Sequence, residues 1–239
     1  GVCPGRYTKK NKLTPRAIEK TLAGLPPMQG VVADNNRQEY GTHYRKVAAG
    51  QKPLAPPLKI EAQFAPPHPG RQEVVLLGSA GQRIITAGEI LCLAGLTAGL
   101  QTTQKNEYNI TVLRGPSISE LILSPEEIDY TGIEKPSAIV ALDQEGVIRR
   151  RTMFDHLAED TLVVQIDGVE IPPCRAQIHG VDLKALGIKK PDWALASLAI
   201  LANQGRITSL EMLSAALKIR FKGKVLERSL ALIQKAGAF

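Results

Sequence analysis

The stretch that most constrains this chain runs from Glu73 to Gly99, EVVLLGSAGQRIITAGEILCLAGLTAG. A short apolar run, Val74 to Leu77, ends at Gly78 and passes through Ser79, Ala80, Gly81 and Gln82. A second apolar set follows, through Ile84, Ile85, Ala87, Gly88, Ile90, Leu91, Leu93 and Ala94. That order is strand, tight glycine turn, helix, the opening of an α/β unit. Gly78 and Gly81 let the backbone reverse without a side-chain clash, and Ser79 is the expected cap of the helix. Backbone N–H groups at such a helix start can receive an anion, so Gly78, Ser79, Gly81 and Gln82 form the first candidate site.

Charge divides the chain into two parts. Residues 1–70 hold 11 Lys and Arg against 4 Asp and Glu, whereas residues 71–239 hold 19 of each, so the net charge of +7 belongs to the leading segment. A basic leader suits nucleic acid or an acidic partner surface. No recognition motif accompanies it, and no nucleic-acid partner is expected. From Pro53 to Pro69 the chain spends 6 of its 16 prolines with little apolar periodicity. Residues 53–70 are therefore expected to be an extended linker, dividing a basic segment, 1–52, from an α/β domain, 71–239. In the leading segment Thr14 and Pro15 suit a helix start, and Tyr40 and Tyr44 lie one helical turn apart. No stretch reaches the length of a membrane span, no signal peptide is visible, and Gly1 suggests a processed or excised fragment. The cysteines, Cys3, Cys92 and Cys174, include no CxxC pair. A reducing, cytoplasmic setting is expected, with no iron–sulfur or zinc site built from this chain alone.

After the opening unit, Tyr108 to Leu113 and Ile118 to Leu123 read as strands around the turn Arg114-Gly115-Pro116-Ser117. Ser124 followed by Pro125 and two glutamates reads as a helix start. Ala138 to Leu142 is a continuous apolar run ending at Asp143, as in a strand buried on both faces. Arg149 to Glu159 is expected to form a crossover helix. Thr161 to Ile166 reads as another buried strand, and Ala176 to His179 as one more. From Pro191 the chain is helical: a segment apolar nearly all round ended by Gly205, a helix opened by Thr208 and Glu211 in capping-box spacing, and a last helix beyond Gly223.

Chemistry by this chain alone has little support. His43, His68, His156 and His179 are scattered, and none sits in a metal or triad motif. GSAGQR is neither GxGxxG, since Arg83 occupies the third glycine position, nor a phosphate-binding P-loop. The turn is either structural or an anion site. Arg114 beside Gly115 can fork a phosphate or carboxylate, or pin a loop to a neighbouring subunit. On residues alone a stand-alone α/β nucleotide- or small-molecule-binding module remains the alternative.

The succession LLGSAGQRIITAGEIL, RGPSISELILSPEEID and SAIVALDQ resembles the gamma subunit, or fused gamma domain, of the 2-oxoacid:ferredoxin (acceptor) oxidoreductases. Gly78, Gly81 and Gln82 match that family's GxGGQG turn, with Ala80 and Arg83 in place of glycines. Thr86, Ala87 and Leu91 match its helix, and Arg114 and Gly115 match its RGG turn, with Pro116 in place of the second glycine. The C-terminal stretch also resembles the family's final region, without the asparagine that the family carries near Ser229. The leading segment, GVCPGRYTKKNKL and RQEYGTHYRKVAAG, is similar to the end of the thiamine-diphosphate-binding subunit, without its GDG motif. The resemblance implies a Rossmann-like layered α/β sheet with flanking helices and a helical C-terminal region. It also implies a component of an enzyme that oxidatively decarboxylates a 2-oxo acid such as pyruvate, and that is inactive alone. Thiamine diphosphate, magnesium and iron–sulfur clusters would reside in companion subunits, with coenzyme A as co-substrate and ferredoxin or another carrier as electron acceptor. Gly78, Ser79, Gly81, Gln82, Arg114 and Gly115 would then contact coenzyme A or a neighbouring subunit.

Overall fold

The computed structural model describes residues 59–108 and 114–238. The sequence expectations for residues 1–58 and for the strand segment 109–113 lie outside them. Six strands form one mixed sheet in the order β2-β3-β1-β4-β5-β6. They are β1 (Gln72–Ser79), β2 (Gln101–Tyr108), β3 (Pro116–Ser124), β4 (Ala138–Ala141), β5 (Leu162–Ile166) and β6 (Gln177–Val181). The pairs β1–β4, β4–β5 and β5–β6 are parallel, while β3 runs antiparallel to both β1 and β2. Every residue of β1 and of β4 is buried, as their unbroken apolar runs require of strands covered on both faces. The layered α/β expectation holds.

The helices are α1 (Ile84–Thr97), α2 (Gln144–Arg149), α3 (Trp193–Asn203), α4 (Leu210–Arg220) and α5 (Gly223–Gly237), with 3-10 turns at Arg151–His156 and Lys190–Asp192. Side chains alternate across β3, which assigns the helices to faces. Ser119 and Leu123 meet α1, where a Cβ on Gly88 would lie 2.5 Å from Ser119 Oγ and one on Gly95 2.8 Å from Leu123 Cδ2. Glu120, one residue out of phase, accepts from Arg150 Nε at 3.0 Å just beyond α2. The helices α1 and α2 therefore cover opposite faces. Gly88 and Gly95, two helical turns apart, give the close helix–sheet approach for which the sequence offered no third turn glycine.

On the α2 face, Arg150 also donates to Glu107 Oε2 at 2.7 Å, and Arg149 pairs with the same carboxylate. The Arg150 hydrogen bond, with Arg149 adding to it, holds the Glu107 carboxyl below the usual range although burial opposes the shift.

Several elements differ from their sequence expectations. The strand Gln101–Tyr108, paired from Gln101↔Ser124 to Tyr108↔Ser117, was not expected. It meets the strand expected at Tyr108–Leu113 only at Tyr108, and the rest of that segment lies outside the described residues. QTTQKNEY has no apolar alternation because β2 is an edge strand, and polar edges discourage pairing with other chains. No helix follows Ser124; its hydroxyl accepts from Glu126 N in a local turn. Topology explains this. The end of β3 and the start of β4 lie at the same end of the sheet with only β1 between them, about 10 Å apart at two strand spacings. A loop suffices. The buried Glu73 carboxylate fastens that loop, accepting from Glu134 N at 2.7 Å, Lys135 N at 2.8 Å and Arg71 Nε at 2.9 Å.

The crossover helix expected over Arg149–Glu159 starts earlier, with Asp143 capping α2 through Glu145 N, and continues as a 3-10 turn. Ser209, not Thr208, caps α4, accepting from Met212 N. Thr208 is fully buried, and its hydroxyl has no partner among the described residues. Strand β6 runs Gln177–Val181 rather than Ala176–His179.

Helix α3 buries nine of its residues, in keeping with its all-round apolar character, and Gly205 follows at φ 64°. In the stretch read as a linker, Gln63 N and Phe64 N both donate to Thr97 O at the end of α1, and Phe64 packs on the core. No described helix is long and apolar enough to cross a membrane.

At the contact between α2 and the end of β1, backbone meets backbone. A Cβ on Gly146 would stand 2.5 Å from Gly78 N and 2.6 Å from Leu77 C. Backbone cannot yield as a side chain can, so Gly146→Ala is expected to lower stability by about 1–3 kcal/mol. Urea denaturation measures it; an unchanged midpoint would refute the close approach.

Candidate functional site

The residues singled out in the sequence converge at the carboxyl end of β1. Gly78 and Ser79 close that strand opposite Ser117 and Pro116 of β3, and Ala80 N donates to Gly115 O at 3.0 Å. The glycine turn and the Arg114–Gly115 turn are thus neighbours. Gly81 adopts φ 90° and Gly115 φ 93°, which explains a glycine at each position. Gly78 is required for space, since a Cβ there would lie 2.4 Å from Ile84 Cδ1.

Gln82 is 1% exposed. Its Oε1 accepts from Ser79 N at 2.8 Å and its Nε2 donates to Leu142 O at 3.2 Å. One side chain therefore ties the turn after β1 to the segment after β4. Gln82 N itself donates to Ser79 O at 3.3 Å. The amides of Ser79, Ala80 and Gln82 are all engaged within the protein. Ser79 does not cap α1 as expected. The helix begins after Arg83, which sits at φ 56° and makes no side-chain cap. Arg114 is exposed, and its guanidinium has no hydrogen bond or ion pair with another described residue.

Sequence reasoning missed the charged groups around this end of the sheet. Asp143, the residue after the β4 run, pairs with Lys190 Nζ at 2.8 Å. Burial opposes ionisation of Asp143, but Lys190, the Glu145 amide and the Ser79 hydroxyl together hold its carboxyl below the usual range. Asp192 accepts from Arg83 Nη1 at 3.1 Å and from Arg228 Nη2 at 2.9 Å, joining the starts of α1 and α3 to α5. The signal available was weak. Arg83 was visible only as a residue standing where a glycine was expected, and Asp143 only as a strand terminus.

Among the described residues no three His, Cys, Asp or Glu side chains converge to hold a metal ion. Burial pushes the Cys92 thiol up to about 11, so it stays protonated at neutral pH and is a poor metal ligand or nucleophile.

Gln82→Glu retains an acceptor for Ser79 N but turns an oxygen towards Leu142 O. It should cost about 1–3 kcal/mol in urea denaturation; unchanged stability would mean that the side chain is not the tie described. Asp143 gives a pH test. Its folded pKa is depressed, so its contribution is present above the ordinary Asp range and is lost as pH falls through the lowered value. Asp143→Asn should be the less stable protein at pH 7, with the gap closing below about pH 4. A gap independent of pH in denaturation curves would contradict this assignment.

A family model described as pyruvate ferredoxin/flavodoxin oxidoreductase matches residues 73–239. The 2-oxoglutarate synthase subunit KorC of Methanothermobacter marburgensis is 36% identical over 101 residues, 41% of this chain and 53% of that protein. Its counterpart from Methanocaldococcus jannaschii is 38% identical over 77 residues, 32% of this chain and 41% of that protein. The matched region spans about half the length of these curated relatives, or less. Among solved structures, the gamma subunit of keto/oxoacid ferredoxin oxidoreductase from Geobacter sulfurreducens superposes with a TM-score of 0.60 at 22% identity. That overlap covers 71% of this chain and 95% of that one. The 2-oxoglutarate:ferredoxin oxidoreductase of Magnetococcus marinus, solved with 2-oxoglutarate, coenzyme A and succinyl-CoA bound, also gives 0.60, at 18% identity, covering 71% of this chain and 31% of that one. Both share its fold. With residues 73–239 matched by that family model, more than half of its length, the chain belongs to the pyruvate ferredoxin/flavodoxin oxidoreductase family.

Proposed function

We propose that this chain is the gamma-type component of a cytoplasmic 2-oxoacid:ferredoxin (acceptor) oxidoreductase that oxidatively decarboxylates a 2-oxo acid to an acyl-CoA. The observation that carries this reading is the family match from Glu73 to Phe239 on a fold that overlays 95% of a known gamma subunit. The curated relatives are named for 2-oxoglutarate and the family for pyruvate, which makes these the first two substrates to try.

The described residues do not fit the redox cofactors, having neither a convergent metal set nor an activated thiol. In this reading thiamine diphosphate, magnesium and iron–sulfur clusters reside in companion subunits, and ferredoxin or another carrier takes the electrons. The role left to this chain is assembly and a contact with coenzyme A. Arg114, exposed beside the Gly115 turn, offers a planar fork suited to a phosphate. Gly78, Ser79, Gly81 and Gln82 support that turn from behind through the Ala80–Gly115 hydrogen bond, and act as framework more than as donors.

The test is purification of the full complex through this chain. A yellow-brown multi-subunit assembly with coenzyme A-dependent oxidation of a 2-oxo acid is expected; a colourless monomer that binds a nucleotide would favour the stand-alone module instead. In the complex, Arg114→Ala should raise KM for coenzyme A about tenfold with subunit content unchanged. An unaltered KM would remove Arg114 from the proposed contact.

A further inference from the structure

We propose that a cavity between the start of α1, the start of α3 and α5 is a second binding site, for a small amphiphilic anion: a carboxylate carrying an apolar tail. The cavity measures about 450 Å³, within the size range of small-molecule pockets. Its floor is apolar, built from Ala87, Ile90, Leu195, Phe221 and Leu232. Its rim is cationic: Arg83, Lys224 and Arg228 stand around the single carboxylate of Asp192.

That carboxylate is already committed. Arg83 takes Oδ1 at 3.1 Å and Arg228 takes Oδ2 at 2.9 Å. Asp192 thus orients two guanidinium groups while leaving a surplus of positive charge on the rim. Each guanidinium has five N–H donors in a planar fork, so the Asp192 contact leaves donors free for a second carboxylate. Both arginine side chains remain more than half exposed, at 61% and 67%, so an incoming anion can reach them. The apolar floor selects against a bare inorganic anion, because only a ligand with a tail removes that surface from water.

Arg83 supplies an independent indication. It is the one non-glycine residue at positive φ among the described residues, at 56°. A left-handed conformation is strained for a residue with a Cβ, and such strain collects at ligand clamps. Glycine would remove that strain, together with the guanidinium on the rim. The site uses none of the groups assigned above to coenzyme A. It also stands whether or not the chain works within an oxidoreductase.

The test is calorimetric titration of the full chain with octanoate, and with octanol as the uncharged match. Octanoate should bind saturably, with octanol about tenfold weaker, and Arg228→Gln should weaken octanoate about tenfold. Arg83→Gly should weaken it similarly while leaving thermal stability intact, which separates loss of the ligand from loss of the fold. Arg206→Gln, at a different pocket lined by His68 and Lys135, should change nothing. Absence of saturable binding, equal binding of octanol, or insensitivity to Arg228→Gln and Arg83→Gly would overturn the proposal.

Discussion

The contact on which the rest of this structure depends is the one between the end of β1 and the start of α2. Gly146 comes so close to the Leu77–Gly78 backbone that it has no room for a side chain, and Gly78 in turn is hemmed in by the Ile84 and Gln82 side chains. Gln82 then stitches the same place from the other side, bridging Ser79 N and Leu142 O. Leu142 N and Asp143 N add backbone bonds to Leu77 O, at 2.8 and 3.2 Å. Strand β1 and the β4–α2 segment are therefore locked at their carboxyl ends. The helices α1 and α2 leave that point towards opposite faces of the sheet, the arrangement that makes a crevice in an open α/β fold.

Most of this architecture was legible because the buried strands announce themselves. Val74–Leu77 and Ala138–Leu142 are continuous apolar runs, and a strand covered on both faces admits little else. The edge strand was not legible, since QTTQKNEY carries side chains chosen for solvent and for hydrogen bonding to β3. The Ser124 signal failed for a topological reason. The chain had only to step over β1, and the Glu73 carboxylate holds it there without a helix. At Thr208 and Ser209 the capping chemistry was recognised but slipped by one residue, because two hydroxyls stood side by side and only one faced the helix amides.

The candidate site shows a sharper limit. Its glycines were readable from the strand–turn–helix order, but the inward direction of Gln82 was not. A polar residue in a glycine turn looks like a ligand contact until its partners are seen to be the protein's own backbone. The charged groups were harder still. Arg83 and Asp192 are 109 residues apart, and Asp192 and Arg228 a further 36, so no local pattern joins them. What the fold does at this end is consistent throughout: polar groups inside the junction are satisfied internally, while Arg114, Arg83 and Arg228 are exposed around it. The junction is rigid inside and carries cations at its surface.

The glycine turn is a locked junction and not an open anion cradle. Amide hydrogen exchange of the full chain tests it at one residue. Ser79 N–H, held by the buried Gln82 oxygen, should exchange as slowly as the interior amides of β1, and only through global unfolding. Exchange of Ser79 at the rate of an exposed loop, with β1 still protected, would contradict the account.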